Sequence, residues 1–282
     1  MKGGTDASGS RKERDTTLAK LEKDRYSSSS LMRGLEILRL FRAEQPTLSL
    51  VEIANQLGIS RTAPFRLLFT LQSLGYLKQN EETKRYELTP KVLELGFAYL
   101  NTLQITEVAR PFLEKLRDET GGSAHIGILD DTAVVFVAVQ QARGPSTVSV
   151  SIGSRLPAHA TAVGKILLAF QPRETWEELL LLSDLQSYTK DTKTMMTAIL
   201  KELEVVRTQG YSVSSGEFEV GIRSVSAPIF DETGKAVAAV SVAAHESIMP
   251  IERVEKHVLP LICESAEKLS AFYGYRESKR MG

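Results

Sequence analysis

Cysteine is nearly absent from the 282-residue chain. A single one, Cys263, cannot close a disulfide within the molecule, so disulfide-stapled secreted scaffolds are excluded. Long apolar runs are missing too. The richest, Ala133 to Val139 and Leu179 to Leu182, fall far short of the roughly 20 residues that span a bilayer. Met1 to Ser30 has no apolar signal core and ends in four serines, which predicts a polar, disordered tail rather than a secretion signal, and places the chain in the cytoplasm by default. The motifs of catalysis are lacking as well: no Gly-x-Ser-x-Gly elbow, no His-Glu-x-x-His, no phosphate-cradling glycine loop. His125, His159, His245 and His257 have no close spacing, so neither a metal site nor a hydrolase built on one of them with a nearby Ser and Asp has the context it needs. No cofactor is expected.

Excess charge is also lacking, since 35 Lys+Arg balance 35 Asp+Glu. The distribution is uneven, with a modest basic surplus before residue 90 and an acidic one after it, a weak pointer to nucleic acid at the N-terminal end. A composition 42% hydrophobic and 25% charged is that of a soluble chain long enough for two domains.

What is present centres on Ser49 to Leu77. Ser49-Leu50-Val51-Glu52 reads as a capping box, in which the Ser hydroxyl takes an orphan amide and the Glu reaches back. Leu50, Ile53, Ala54 and Leu57 then share one helical face, and Gly58 ends the helix with Ile59 folding back on it. A second helix follows a short turn, beginning near Ala63 because Pro64 belongs in a first turn, with Leu67, Leu68, Leu71 and Leu74 as its expected buried stripe and Gly75 as its stop. Two short helices joined in this way form a helix-turn-helix. The opposite face carries Arg61, Thr62, Phe65, Arg66, Phe69, Thr70 and Ser73, a mixture of guanidinium, hydroxyl and aromatic groups suited to phosphates and base edges, and Ser60, Arg61, Thr62, Phe65 and Arg66 are the candidate DNA contacts; a solvated face with one phenylalanine packed on a neighbouring domain is the alternative.

Leu31, Leu35, Leu38 and Phe41 predict a helix behind this pair. Tyr76 to Gln79 and Arg85 to Leu88 predict a wing hairpin, with Lys84 and Arg85 placed to reach phosphate or the minor groove. The apolar helix Pro90 to Leu103 needs a partner, its symmetry mate or the next domain. Beyond a helix at Ile105 to Glu119, the pattern predicts strands at Ser123 to Leu129, Val134 to Gln140, Thr147 to Ser151, Tyr211 to Ser214, Arg223 to Phe230 and Ala236 to Ala243. Helices are predicted at Thr161 to Phe170, Arg173 to Leu182, Lys193 to Gln209 and Pro250 to Tyr273. Short hairpins between sequential strands, interrupted by helices, make this an α+β domain with a largely antiparallel sheet.

The run Gly153 to Lys165 (GSRLPAHATAVGK), the later Glu217 to Arg223 (EFEVGIR) and the strand pair Ala227 to Phe230 and Ala238 to Val242 resemble the IclR family of bacterial transcriptional regulators, as does the winged helix-turn-helix at Leu31 to Leu88, in the same order and spacing. The resemblance spans about residues 28 to 275. It implies a tail (1–27), a winged helix-turn-helix (28–90), a linker helix (91–104), an effector domain like the GAF fold (105–275), a short tail (276–282), and assembly into dimers or tetramers on a double-stranded DNA operator.

Small residues on facing strands, Ser224, Ser226 and Pro228 against Val237, Ala239, Ser241 and Ala243, leave room for a pocket, and Thr161 can cap a helix whose first amides favour a carboxylate. Resemblance to acid-binding members of the family implies effector contacts at Ala162, Val163, Ser214, Ser224, Ser241 and Ala243. Those members tend to have Asp, Cys and Ser where this chain has Ser214, Ser224 and Ala243. A less acidic site is expected, suited to a larger or more apolar effector such as an aromatic acid.

Overall fold

The computed structural model describes residues 27–60, 62–143 and 150–276, with Ala63 described by its backbone alone. Met1 to Tyr26, Arg61, most of the strand expected at Thr147 to Ser151 and the last six residues lie outside the described part. The chain divides into two compact units, the division falling between Tyr99 and Leu100.

The first unit is a winged helix-turn-helix. Helices α1 (Ser29–Leu40), α2 (Leu50–Gln56) and α3 (Ala63–Ser73) pack with a three-stranded antiparallel sheet of β1 (Thr47–Leu48), β2 (Leu77–Gln79) and β3 (Tyr86–Leu88), in the order β1-β3-β2. The capping box is formed as the sequence predicts: Ser49 N–H donates to Glu52 Oε2 at 2.7 Å and Glu52 N–H to Ser49 Oγ at 3.3 Å. Gly58 and Gly75 close α2 and α3 with φ of 63° and 79°, a left-handed backbone that favours glycine. Ile59 N–H then reaches Ala54 C=O, and Tyr76 N–H reaches Leu71 C=O.

The core is Ile37, Leu48, Ile53, Leu68, Leu71, Leu77 and Tyr86. Two expected stripes are corrected here. In α1 the buried residue is Ile37, whereas Leu31 and Leu35 are exposed; in α3 Leu74 is exposed at the helix end. These leucines, with Leu38, Leu71 and Leu95, line one apolar surface groove. Periodicity found the stripe, but α1 packs on α2 and α3 through the side that carries Ile37. The two-residue β1 was not anticipated; it buries Leu48 completely and anchors the wing. Helix α4 (Val92–Leu100) follows and has no buried residue, leaving Leu93, Leu95 and Phe97 about half exposed.

In the second unit the helix expected over Ile105 to Glu119 is two, α5 (Ile105–Val108) and α6 (Arg110–Thr120), because Pro111 lacks an amide and fits only in a helical first turn. A six-stranded antiparallel sheet has the order β6-β5-β4-β9-β8-β7, with β4 (Ser123–Asp130), β5 (Ala133–Gln140), β6 (Arg155–Pro157), β7 (Ser212–Ser215), β8 (Ile222–Phe230) and β9 (Ala236–His245). Strand β6 was not foreseen, and Val150 and Ser151 belong to no strand. One sheet face buries Ile126, Val225, Ala227, Val240 and Val242 against α6 and the C-terminal helix α11 (Leu259–Phe272). That last segment was expected as one helix from Pro250. It is a short α10 (Ile251–Arg253), a π-turn at Val254–Val258 and then α11, which begins around Pro260. The other sheet face is covered by α7 (Ala162–Ala169), α8 (Trp176–Leu182) and α9 (Met196–Gln209), around a core that includes Phe136, Val163, Ile166, Trp176 and Leu203.

Ser49→Ala removes the cap of α2 and should destabilise the first unit by about 1 kcal/mol. The Glu52 carboxyl is held below its ordinary value first by the Ser49 amide, then by the Ser49 hydroxyl and Arg85. A carboxyl with a lowered folded pKa contributes stability above its unfolded pKa that is lost as pH falls through the folded one. Urea denaturation should therefore show a deficit for Ser49→Ala at neutral pH that narrows in acid; an equal deficit at both would show that Glu52 is not linked to the cap.

Candidate functional sites

On the first unit, α3 turns Thr62, Phe65, Arg66, Phe69 and Thr70 outward, with Phe65 58% and Phe69 66% exposed. Pro64 is buried within the first turn, and the residue at the cap position of α3, Thr62, makes no capping bond with its side chain; its hydroxyl lies 3.3 Å from that of Ser60. Ser60, Thr62, Phe65 and Arg66 thus cluster at the exposed start of the helix. Lys84 sits at the wing turn with φ of 55°, a conformation shaped by Asn80, whose side chain accepts the amides of Glu82 and Thr83. Arg85 is turned inward. Its guanidinium donates to the Thr47 hydroxyl and carbonyl, each at 2.9 Å, and pairs with Glu52 at 2.9 Å, tying the wing to β1 and to the capping box. The sequence shows its charge but not this cross-link, whose partners lie 38 and 33 positions away.

On the second unit, a cavity of about 210 Å³ opens on the sheet face beside the start of α7. Facing strands set its wall. The registers pair Ser214 with Ser224, Ser224 with Ala243, and Ser241 with both Ser226 and His125, so these side chains share the face that carries the cavity. Helix α7 lies close on β4: a Cβ at Gly127 would come within 2.7 Å of Val163 Cγ1. Of the positions expected from the resemblance, Val163, Ser214, Ser241 and Ala243 line the cavity; Ala162 and Ser224 do not. Lining residues the sequence did not nominate include His125, Phe136, Thr161 and Phe218, and also Glu219, which puts a carboxylate where a less acidic site was expected. Among the described lining residues there is no lysine or arginine.

The polar groups are committed unequally. The Thr161 hydroxyl donates to Pro157 C=O and accepts from Gly164 N–H, capping α7 as expected. His125 is fully buried, and burial pushes its imidazole down to about 4, so it is neutral at pH 7. Its Nδ1 lies 3.5 Å from Ser241 Oγ, and its Nε2 has no partner. His159, in the turn before α7, bonds through Nε2 to the Gln186 carbonyl at 3.1 Å.

Behind the cavity lies an ion network. Lys165 of α7 has no exposed surface and reaches Glu217 at 2.5 Å and Glu202 of α9 at 2.9 Å; Lys193 pairs with Glu202 at 2.9 Å from the outer side. Ser214 Oγ donates to the same Glu217 Oε1 at 3.1 Å.

An exposed recognition-type helix on one unit, and on the other an antiparallel sheet with a cavity at a helix start, fit a DNA-binding transcriptional regulator. Family comparison is specific: residues 30–81 match the IclR helix-turn-helix domain and residues 97–271 the bacterial transcriptional regulator IclR C-terminal domain. The chain belongs to the IclR family. It is 33% identical over 243 residues to the Pca regulon regulatory protein of Pseudomonas putida, covering 86% of this chain and 82% of that one. The crystal structure of a Rhodococcus sp. RHA1 transcriptional regulator superposes with a TM-score of 0.78 at 34% identity, covering 88% and 99%. The inducer-binding domain of the PobR transcription factor from Acinetobacter, solved as a double mutant with 3-hydroxybenzoic acid, matches at 31% identity and a TM-score of 0.56, covering 60% of this chain and 98% of that domain.

Lys165→Met should cost about 3 to 5 kcal/mol in urea denaturation, since it leaves the buried Glu217 carboxylate without its ammonium partner, Lys193 still pairing with Glu202. Breaking the exposed Arg155–Asp130 pair with Arg155→Ala should cost under about 1 kcal/mol. Equal effects would remove the network from any special role.

Proposed function

We propose that the chain is a cytoplasmic, non-catalytic regulator that binds a partly palindromic operator as a homodimer or homotetramer, and that a small aromatic acid in the second unit's cavity modulates its affinity. The observation that carries the effector reading is the cavity itself. A space of about 210 Å³ walled by Phe136, Val163, Leu156 and Phe218 suits one ring with its substituents, given that an apolar cavity of about 150 Å³ takes benzene. The first amides of α7 and their positive end potential favour a carboxylate. The unpartnered Nε2 of neutral His125 supplies a second, independent polar group on the same wall. That PobR's inducer-binding domain was solved with 3-hydroxybenzoic acid supports the ligand class. The Ser241–His125 pair does not argue for a hydrolase: the second imidazole nitrogen has no carboxylate to orient it.

For DNA, the reading assigns Ser60, Arg61, Thr62, Phe65 and Arg66 to the major groove and Lys84 to backbone phosphate, with Arg85 holding the wing in place. Self-association is supported by α4, an apolar helix without a buried residue in the single chain. A palindromic site requires a matching two-fold axis in the protein.

Arg66→Ala should weaken operator binding by about 1 to 3 kcal/mol, and Lys84→Ala should weaken it across all sequences and lower the salt-dependence slope by about one. Footprinting and salt titration read both; parent-like footprints in the two variants would discard the interface.

With 3-hydroxybenzoate as probe, Ser241→Leu should fill the cavity and abolish the effector's change in operator affinity, typically 5- to 150-fold for allosteric coupling, while basal binding persists. A parent-like response would place the effector elsewhere.

A further inference from the structure

Over the first two turns of α3, from Ala63 to Phe69, the exposed side chains among those described are Phe65, Arg66 and Phe69. Two of the three are phenyl rings, 58% and 66% exposed, and a spacing of four residues puts them side by side on one flank of the helix. Nothing within the first unit uses them. Its core and its apolar groove take up α3 through Leu67, Leu68, Leu71 and Leu74 instead. A partner that covers the rings must present apolar groups, and one that covers Arg66 at the same time must present acceptors.

The hydroxyls further along the helix do not change this. Thr70 Oγ1 donates to the Arg66 carbonyl at 2.9 Å and Ser73 Oγ to the Thr70 carbonyl at 2.8 Å, so both protons are used within the helix itself. What the first two turns offer is one planar cation beside two apolar rings.

The major groove of duplex DNA matches that inventory. Its edges carry acceptors, of which guanine N7 and O6 suit a guanidinium, and one kind of apolar group, the C5 methyl of thymine. A phenyl ring has neither donor nor acceptor with which to tell the other bases apart. Any sequence that the rings read is therefore written in methyl groups. Four residues advance a helix by about 6 Å, close to two base steps of about 3.4 Å.

We propose that Phe65 and Phe69 set operator specificity by burying thymine methyl groups, so that each half-site places thymines about two steps apart near the guanine that Arg66 takes. This rests on the reading of α3 as the DNA-contacting helix and adds which bases it reads and by what property. Uracil, which differs from thymine by that methyl alone, is then a poor substitute in the same sequence.

In the test the full chain first selects its preferred duplex from a randomised pool. That duplex is synthesised with thymine, and again with deoxyuridine in place of every thymine in the footprint. Anisotropy titrations should show the parent binding the thymine duplex more tightly by about fourfold for each buried methyl, hence about 16-fold for the two rings in one half-site. In the double variant Phe65→Ala/Phe69→Ala that ratio should fall to about one, while the dependence of affinity on salt, which counts phosphate contacts, stays that of the parent. Arg66→Ala should weaken binding to both duplexes and keep the ratio. Equal parent affinity for the two duplexes, or a thymine preference that persists in the double variant, overturns the methyl reading; α3 still stands as the DNA-contacting helix if Arg66→Ala binds more weakly than the parent. If Arg66→Ala and the double variant both bind as the parent does, or if the parent selects no duplex, the α3 interface is overturned and the methyl reading with it.

Discussion

One ammonium group kept entirely out of water organises the cavity side of the second unit. Burying the Lys165 ammonium carries a large desolvation cost, and it is tolerated because two carboxylates from distant parts of the chain come to it. The consequence is geometric. Lys165 fixes α7 against α9 through Glu202 and against the segment after β7 through Glu217, and Glu217 fixes Ser214 in turn. The start of α7 and the β7 wall of the cavity are therefore held by the same charge cluster. An apolar residue at 165 could pack as well, but it would register neither wall.

Interactions that are local in sequence were legible, and those that depend on remote partners were not. The capping box at Ser49 and Glu52, the glycine stops at 58 and 75, the Thr161 cap and the alternation of β8 and β9 are each decided within a few residues, and the structure has them where the pattern predicts. The α1 stripe was misread because a periodic pattern shows that an apolar face exists without showing what covers it; Ile37 is buried and Leu35 is not. Pro111 was a visible sign that Ile105 to Glu119 should break.

Within the candidate sites the same division holds. Small residues on paired strands announced the cavity, and the family resemblance nominated Val163, Ser214, Ser241 and Ala243. Neither source pointed to His125, which reads as one more histidine in an apolar strand until β9 is laid beside it. Lys165 stood inside a quoted motif, but its partners are 37 and 52 positions away. Arg85 was visible as a charge suited to phosphate; that it cross-links β1 and α2 depends on a two-residue strand too short for pattern to reveal.

The six-stranded sheet ends in very short strands. At one edge β6 is three residues long, begins with a charged Arg155 and finishes at Pro157, which has no amide to offer; at the other, β7 is four residues of mostly serine. Each edge strand covers only part of its neighbour, β6 pairing with Ala133 to Val135 of β5 and β7 with Arg223 to Ser226 of β8. Among the described residues the outermost strands thus offer an incoming chain only three or four residues to pair with, which disfavours growth of one sheet into another at those edges.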